Sequence, residues 1–582
     1  MHEDLPVSSP RLLALCCDYD GTLARDGRVD EPTLDALQRL KASGRRLLLV
    51  TGRELEDLAR VFERIELFDC VVAENGAVLF TPATAEERLL APAPDDSFVT
   101  ALKARDLQPL SIGRCIVATW QPHDADVMAV IKELGLELQL VFNKGAVMVL
   151  PSGVNKATGL AAALESLHLS PHNAVAVGDG ENDHAFLSFC QVSVAVSNAV
   201  PALKGMADIV TAGDHGDGVA ELIGQLLDDE FACLALQRHR IAVGTLEDAA
   251  AVTIDPLRDK LLVSGRSGSG KSTVAHGILE RLDEQGYSYC VVDPEGDYLA
   301  LPGAVVIGDQ DHAVTLDAAM QALDASGRVV LNLLGISLEH RPAFLAALAP
   351  RLIERRLRTG QPHWVVIDEA HHMLNGASSG TTRLMAEGLD RTLFVTVHPD
   401  ALPLELLQTL TGVFVVGPGA AAGLREILAR SGRSATTAAA ERELQPGEAL
   451  AWLGASPVVQ RLKLTPHRAE HRRHTRKYAE GELPEDRCFY FRGPQGRLRL
   501  RAQNLMVFLQ MGDGVDDETW VHHLHRGDYA IWFSRDIKDD ELAQAARHIE
   551  AQPGLDAARG RQEMRAAVER LYVLAGHSEP AR

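Results

Sequence analysis

The sequence is short of four things, and each shortage excludes something. Its eight cysteines, at positions 16, 17, 70, 115, 190, 233, 290 and 488, include no Cys-x-x-Cys pair. That spacing argues against a zinc site or a disulfide framework and predicts reduced thiols in a cytoplasmic protein. No stretch approaches the ~18 consecutive apolar residues of a membrane span, so no membrane association is expected. The opening MHEDLPVSSPR is acidic and polar and does not read as a secretory signal. Positive charge is scarce: 58 basic side chains face 80 acidic ones, a net of −22. Residues 1–230 alone carry −17 and the remainder −5. The first part therefore repels polyanions such as nucleic acid, while the second neither invites nor excludes them. There is no internal repeat and no long low-complexity tract. What is plentiful is apolar residues, 46% of a 582-residue chain, enough for three or four packed domains.

The run LLALCCDYDGTL (12–23) reads as a buried strand followed by a tight turn. Residues at the C-terminal end of such a strand point into the ligand crevice of an open α/β sheet. Asp18 and Asp20 are two apart, so an extended backbone puts both on one face. A carboxylate pair there suits a divalent cation, or a nucleophile and a general acid. Three later stretches complete the pattern in order. RRLLLVTGR (45–53) is a strand ending at Thr51, SGVNKATGL (152–160) brings Lys156 to a helix start, and AVAVGDGENDHAF (174–186) is a strand ending in Asp179, Asn182 and Asp183. This ordered set resembles the haloacid dehalogenase (HAD) phosphatases. VVAENGAVLF (71–80) and VAVSNAVPALKGMADIVTAGDHGDGVAELI (194–223) resemble their Cof-type branch, HAD-IIB.

The resemblance covers roughly residues 10–228 and implies a Rossmann-like core with a small α+β cap at about 81–150. It implies that Asp18 attacks phosphorus and forms an aspartyl-phosphate, and that Asp20 serves as acid and then base. Thr51 and Lys156 would hold the phosphoryl oxygens. Mg²⁺ would be held by Asp18, the Asp20 carbonyl and Asp179, with Asp183 and Asn182 completing its outer support or orienting Lys156. The expected substrate is a small organic phosphate such as phosphoglycolate or a sugar phosphate. His123, Asn143 and Lys144 lie on the cap and read first as exposed polar positions, with substrate contact the alternative.

DKLLVSGRSGSGKSTVAHGILERL (259–282) is a strand, a glycine-rich loop and an amphipathic helix. Gly265 to Ser272 fit G-x-x-x-x-G-K-[ST], so backbone N–H groups from Gly268, Ser269, Gly270 and Lys271 would wrap a phosphate. Lys271 would reach the β- and γ-phosphates of ATP, and Ser272, followed by Thr273, would ligate Mg²⁺. HWVVIDEAHHML (363–374) resembles a Walker B segment, with Asp368 toward Mg²⁺ and Glu369 polarising water. YSYCVVDPEGDY (287–298), TLFVTVHPDAL (392–402) and AVGTLEDAAAVTID (242–255) resemble parts of HerA/FtsK-type ATPases, with Asp297 and His398 departing from that family's pattern. The resemblance implies an α/β P-loop domain over 232–465 and a homo-oligomer built through it. Arg391, Arg425, Arg430 and Arg433 are the candidates for a finger reaching a neighbouring subunit, though each also reads as a surface or helix-face residue. His371 and His372 read as helix-start packing, with metal ligation the alternative.

The remainder, 466–582, reads as a basic linker PHRAEHRRHTRKYAEGE, a hairpin about GPQG (493–496), and helices. Trp520, Tyr529, Trp532 and Phe533 read as core, and Asp516, Asp517, Asp539 and Asp540 as helix caps or solvent faces. The whole is thus expected to be an α/β phosphatase fused to an α/β ATPase with a mainly helical module. Alternatives stay open: a nucleic-acid-processing motor with an end-trimming phosphatase, a bifunctional kinase/phosphatase, or a nucleotide-dependent assembly switch.

Overall fold

Apolar runs of four or five residues, each closed by a polar turn, are what a parallel sheet buried on both faces requires. The computed structural model describes residues 10–232, 236–375, 378–434, 442–454, 458–465, 483, 487–537 and 539–571. Among them the first such runs are β1 (Ala14–Cys17), β2 (Arg46–Val50) and β3 (Cys70–Ala73), followed by the hairpin β4 (Val78–Thr81) and β5 (Glu86–Leu89). A smaller antiparallel sheet follows, from β6 (Ser111–Ile112), β7 (Val117–Trp120), β8 (Leu138–Asn143) and β9 (Ala146–Pro151). The chain then returns to the first sheet through β10 (Ala174–Gly178), β11 (Val192–Ala195) and β12 (Ile209–Val210).

The order of this first sheet is β12-β11-β10-β1-β2-β3-β4-β5. Since β4 and β5 belong to it, the cap's own sheet starts at Ser111 and is ordered β6-β7-β9-β8. Helices Asp96–Ala104 and Asp124–Leu134 pack on the cap sheet through Phe98, Leu102, Val127, Val130 and Ile131.

The second large sheet is built from β13 (Ile241–Thr245), β14 (Ala251–Ile254), β15 (Leu261–Gly265), β16 (Tyr289–Asp293), β17 (Val305–Ile307), β18 (Arg328–Asn332), β19 (Trp364–Ile367), β20 (Thr392–Thr396), β21 (Gly412–Val416), β22 (Glu448–Leu453) and β23 (Gln460–Leu464). Its order is β14-β13-β23-β22-β21-β15-β20-β19-β16-β18-β17. The strands from β21 through β16 run parallel. The parallel register sets Ser264 beside Thr396 and Ile367 beside Phe394, so the ends of β15, β20 and β19 open on one edge.

Contacts divide the chain into two units, Met1–Val292 with Gly303–Pro466, and Asp293–Pro302 with His467–Arg582. Both large sheets belong to the first unit, where they meet at a buried polar seam. Arg11, just before β1, donates to Asp390, just before β20, at 2.9 Å. His172 stacks on Tyr287 with ring centroids 3.7 Å apart, and the Tyr287 hydroxyl donates to Gln191 at 2.8 Å. His363, just before β19, lies 3.3 Å from the Asn173 side-chain oxygen, just before β10. All these residues stand at the N-terminal ends of their strands.

In the second unit, β24 (Phe489–Phe491) pairs antiparallel with β25 (Leu500–Ala502), and helices such as Leu505–Gly514 and Asp517–Arg526 follow. Trp520, Tyr529, Trp532 and Phe533 are buried in its core, as their spacing implies. Asp516 and Asp539 cap helices by accepting from Thr519 and Leu542 N–H groups. The basic stretch 466–482 lies outside the described residues.

Candidate functional site

Four polar side chains converge at the C-terminal edge of the first sheet. β1 delivers Asp18, β10 delivers Asp179, the short turn after it delivers Asp183, and the helix Lys156–Ser166 delivers Lys156 at its first position. Asn155 caps that helix, accepting from Ala157 and Thr158 N–H groups, which fixes where the lysine starts. The Lys156 amine donates to Asp18 Oδ1 at 2.6 Å and to Asp183 Oδ1 at 2.5 Å. The other Asp183 oxygen accepts the N–H groups of Asp179 and Gly180. Asp183 therefore braces both the lysine and the turn.

Ligand oxygens of Asp18, Asp179 and Asp183 all lie within 4.8 Å of one another, and all three residues are buried. Burial first, then the charge of Asp183, pushes the Asp18 carboxyl up to about 8. Burial works against the Lys156 ammonium, but Asp18 and Asp183 outweigh it and raise its pKa. Burial raises Asp179 as well, against the opposing effect of Lys144. Three crowded carboxylates with too little positive charge are the donor set that a hard divalent cation neutralises, so the residues present fit such an ion.

Asp20 does not join this cluster through its carboxylate. Both its oxygens accept from Arg53, each at 2.7 Å. Thr51 is buried and its hydroxyl accepts the Arg53 N–H at 3.1 Å. Asn182 donates to Asn75 at 3.0 Å. Two residues without a role in the sequence pattern also act here. Arg53 grips Asp20, a reach its place in TGR made available. Glu74, at the end of β3 and at φ 49, accepts the cap N–H groups of Arg114, Cys115 and Ile116 at 2.8, 2.7 and 3.0 Å, tying cap to core. Lys144 is exposed, as its turn position implied, and is also paired with the core. From the β8–β9 turn its amine reaches Asp179 Oδ2 at 2.5 Å. His123 keeps to the cap, 3.1 Å from the Gln108 carbonyl.

At the edge of the second sheet, β15 ends at Gly265, and the loop through Ser267, Gly268 (φ 74), Ser269 and Gly270 (φ 99) leads into the helix Lys271–Glu284, which begins Lys271-Ser272-Thr273. The Lys271 amine lies 3.3 Å from the Arg266 carbonyl of its own loop. Asp368 is buried after β19 and accepts the Glu369 N–H at 2.9 Å. Glu369 holds left-handed backbone at φ 41.

His371 stands 3.3 Å from Glu369 and 3.0 Å from the Thr396 hydroxyl, its ring beside His372 and His398. Burial, then His372 and His398, pushes it down to about 4. The arginine candidates are corrected in part. Arg391 is fully buried and cannot reach a neighbouring subunit. Arg430 and Arg433 spend their guanidinium groups on backbone carbonyls of 399–410. Arg425 is exposed. The seven described cysteines are buried and none of them is in a disulfide, and Cys233 lies outside the described residues. Among the described residues no helix is long and apolar enough to cross a membrane.

Residues 15–108 and 127–223 match the haloacid dehalogenase-like hydrolase family, and residues 258–406 match an AAA domain. A phosphoglycolate phosphatase of Methanothermobacter thermautotrophicus is 29% identical over 37% of this chain and 98% of its own length. One from Haloarcula marismortui is 31% identical over 37% of this chain and 97% of its own. A solved haloacid dehalogenase-like hydrolase from Bacteroides thetaiotaomicron aligns over 37% of this chain and 99% of its own, at 21% identity and a TM-score of 0.33.

Proposed function

The chain belongs to the haloacid dehalogenase-like hydrolases through residues 15–108 and 127–223 and carries an AAA domain behind them, and on that premise we propose a Mg²⁺-dependent phosphomonoesterase joined to an ATP-binding and ATP-hydrolysing module. The observation that carries the reading is the buried Asp18, held by Lys156 beside Asp179 and Asp183. The substrate class is a small organic phosphate, phosphoglycolate or a sugar phosphate. The small cap over the edge of the sheet and the relatives named as phosphoglycolate phosphatases support it.

In the first step an Asp18 oxygen bonds to phosphorus as the ester oxygen leaves, taking a proton from Asp20. In the second, Asp20 takes a proton from water, the hydroxide attacks the aspartyl-phosphate, and inorganic phosphate departs from a regenerated Asp18. Lys156 and Thr51 hold the phosphoryl oxygens in line. Asp18 and Asp179, with Asp183 behind, would hold Mg²⁺, which would supply the charge that lets one anion approach another. Arg53 holds both Asp20 oxygens and must release them, with a proton then carried on Asp20, for the first step.

In the AAA domain Lys271 and the loop amides take the phosphates of ATP, Ser272 and Asp368 take its Mg²⁺, and Glu369 polarises the attacking water. The buried thiols, outside any disulfide among the described residues, support a reducing, cytoplasmic setting. Phosphate release from phosphoglycolate and a panel of sugar phosphates, with Mg²⁺ and with chelator, tests the first half. Turnover that survives chelation overturns it.

A further inference from the structure

The cap turn Asn143–Ala146 enters the core site more deeply than a lid resting on a rim. Lys144 holds left-handed backbone at φ 49 in the turn between β8 and β9. Its amine is 2.5 Å from Asp179 Oδ2 and so close to the Asp18–Gly21 loop that a Cβ on Gly21 would lie 2.6 Å from it. Thr22 and Asn198 donate to the same Asp179 carboxylate, at 3.3 and 3.5 Å. The preceding residue, Asn143, buries a side-chain oxygen that has no hydrogen-bond partner among the described residues, beside Gly180. Asp179 thus has two suitors, a divalent cation from solution and the ammonium of the cap. Both cannot sit on the same oxygen, because two cations a few ångströms apart in a poorly hydrated pocket repel strongly.

We propose that Lys144 is a metal-gated cap latch: its ammonium occupies the Asp179 position when the divalent cation is away, competes with that cation, and is released to the substrate side of the cap when the cation binds. This rests on the metal reading of Asp18, Asp179 and Asp183. It makes Lys144 a positioning residue that ties cap closure to metal loading, alongside the Glu74 contacts that hold the other side of the cap. The gate is selective by charge and length: an arginine would keep it and a methionine would remove it. Lys144 is about half exposed, so neither change disturbs the core.

The test uses the full chain without nucleotide and Mn²⁺ as the probe, its free concentration read by electron paramagnetic resonance. Lys144→Met is expected to bind Mn²⁺ about tenfold more tightly than the wild type, and Lys144→Arg to stay near the wild type. In the wild type, adding Mn²⁺ is expected to speed hydrogen exchange at the amides of residues 143–146. Asp179→Asn locates the measured site by weakening it. If Asp179→Asn weakens Mn²⁺ binding while Lys144→Met leaves it unchanged or lowers it, the latch is overturned and the metal site stands. If Asp179→Asn binds as the wild type does, the metal reading falls and the latch with it.

Discussion

The two sites of the first unit are built by different means. The phosphatase site is a constellation of side chains drawn from separated segments and already paired: Lys156 with Asp18 and Asp183, Arg53 with Asp20, Lys144 with Asp179. The nucleotide site is chiefly backbone, a glycine-rich loop at a helix N-terminus whose lysine rests on a carbonyl of that same loop. Side-chain constellations specify a reaction, because each charge must stand where the transition state needs it. A backbone nest specifies only that a phosphate binds there and leaves the use of the bound nucleotide to other residues. This is why the first half states its chemistry more fully than the second.

The sharpest way to break the comparison is Asp18→Asn. An amide is no nucleophile, so phosphate release should fall by at least about a thousandfold while ATP binding stays unchanged. A variant keeping a tenth of the wild-type rate rules out the aspartyl-phosphate. Glu369→Gln comes next. ATP should still bind, but its hydrolysis, followed as ADP formed, should fall roughly a hundredfold. Normal hydrolysis would take the water-polarising role away from Glu369.

The seam between the halves is probed by Gly360→Ala. Gly360 holds φ 68, and a Cβ there would run into the Asn173 amide across the seam. A loss of about 1–3 kcal/mol in unfolding free energy is expected from denaturant titration. A change within error would mean that Asn173 yields and the seam accommodates the added methyl group.

The smallest effect concerns pH. Burial first, then Arg238 and His172, pushes His239 down to about 4. Burial also lowers His172 and His363, with Arg238 facing the former and Arg391 and Arg356 facing the latter. The unfolded chain therefore binds more protons at these sites than the folded one, so stability rises with pH. The contribution is complete above the ordinary histidine value of about 6.5 and is lost as pH falls toward 4. The melting temperature should drop between pH 7.5 and pH 5, and less so in His239→Phe. Equal drops in both proteins would place the acid sensitivity elsewhere.

Much of this was legible in the chain itself. β1, β2, β10, β15 and β19 are short apolar runs ending in motif residues, so local pattern and chemistry agree, and Asp18, Lys156, Asp179 and Asp183 do meet. The seam was not legible, because His363 and Asn173 are 190 residues apart and each looks like an ordinary polar residue at a strand's start. Arg391 was misplaced for the same reason: a guanidinium entering a buried strand reads no differently from one on a surface. Lys144 escaped because its partner lies across the cap-to-core gap, and an exposed turn is the default place for a lysine.

The seam has one more consequence. Because the sheets meet at the N-terminal ends of their strands, the edges that carry Asp18 and Lys271 both lie at the far ends of their strands from the seam. A small molecule leaving one mouth enters bulk water and is diluted there before it reaches the other, so the fusion offers no private passage between them. What one polypeptide guarantees instead is stoichiometry: each cell making this chain makes both sites in equal number, whatever its supply of their ligands.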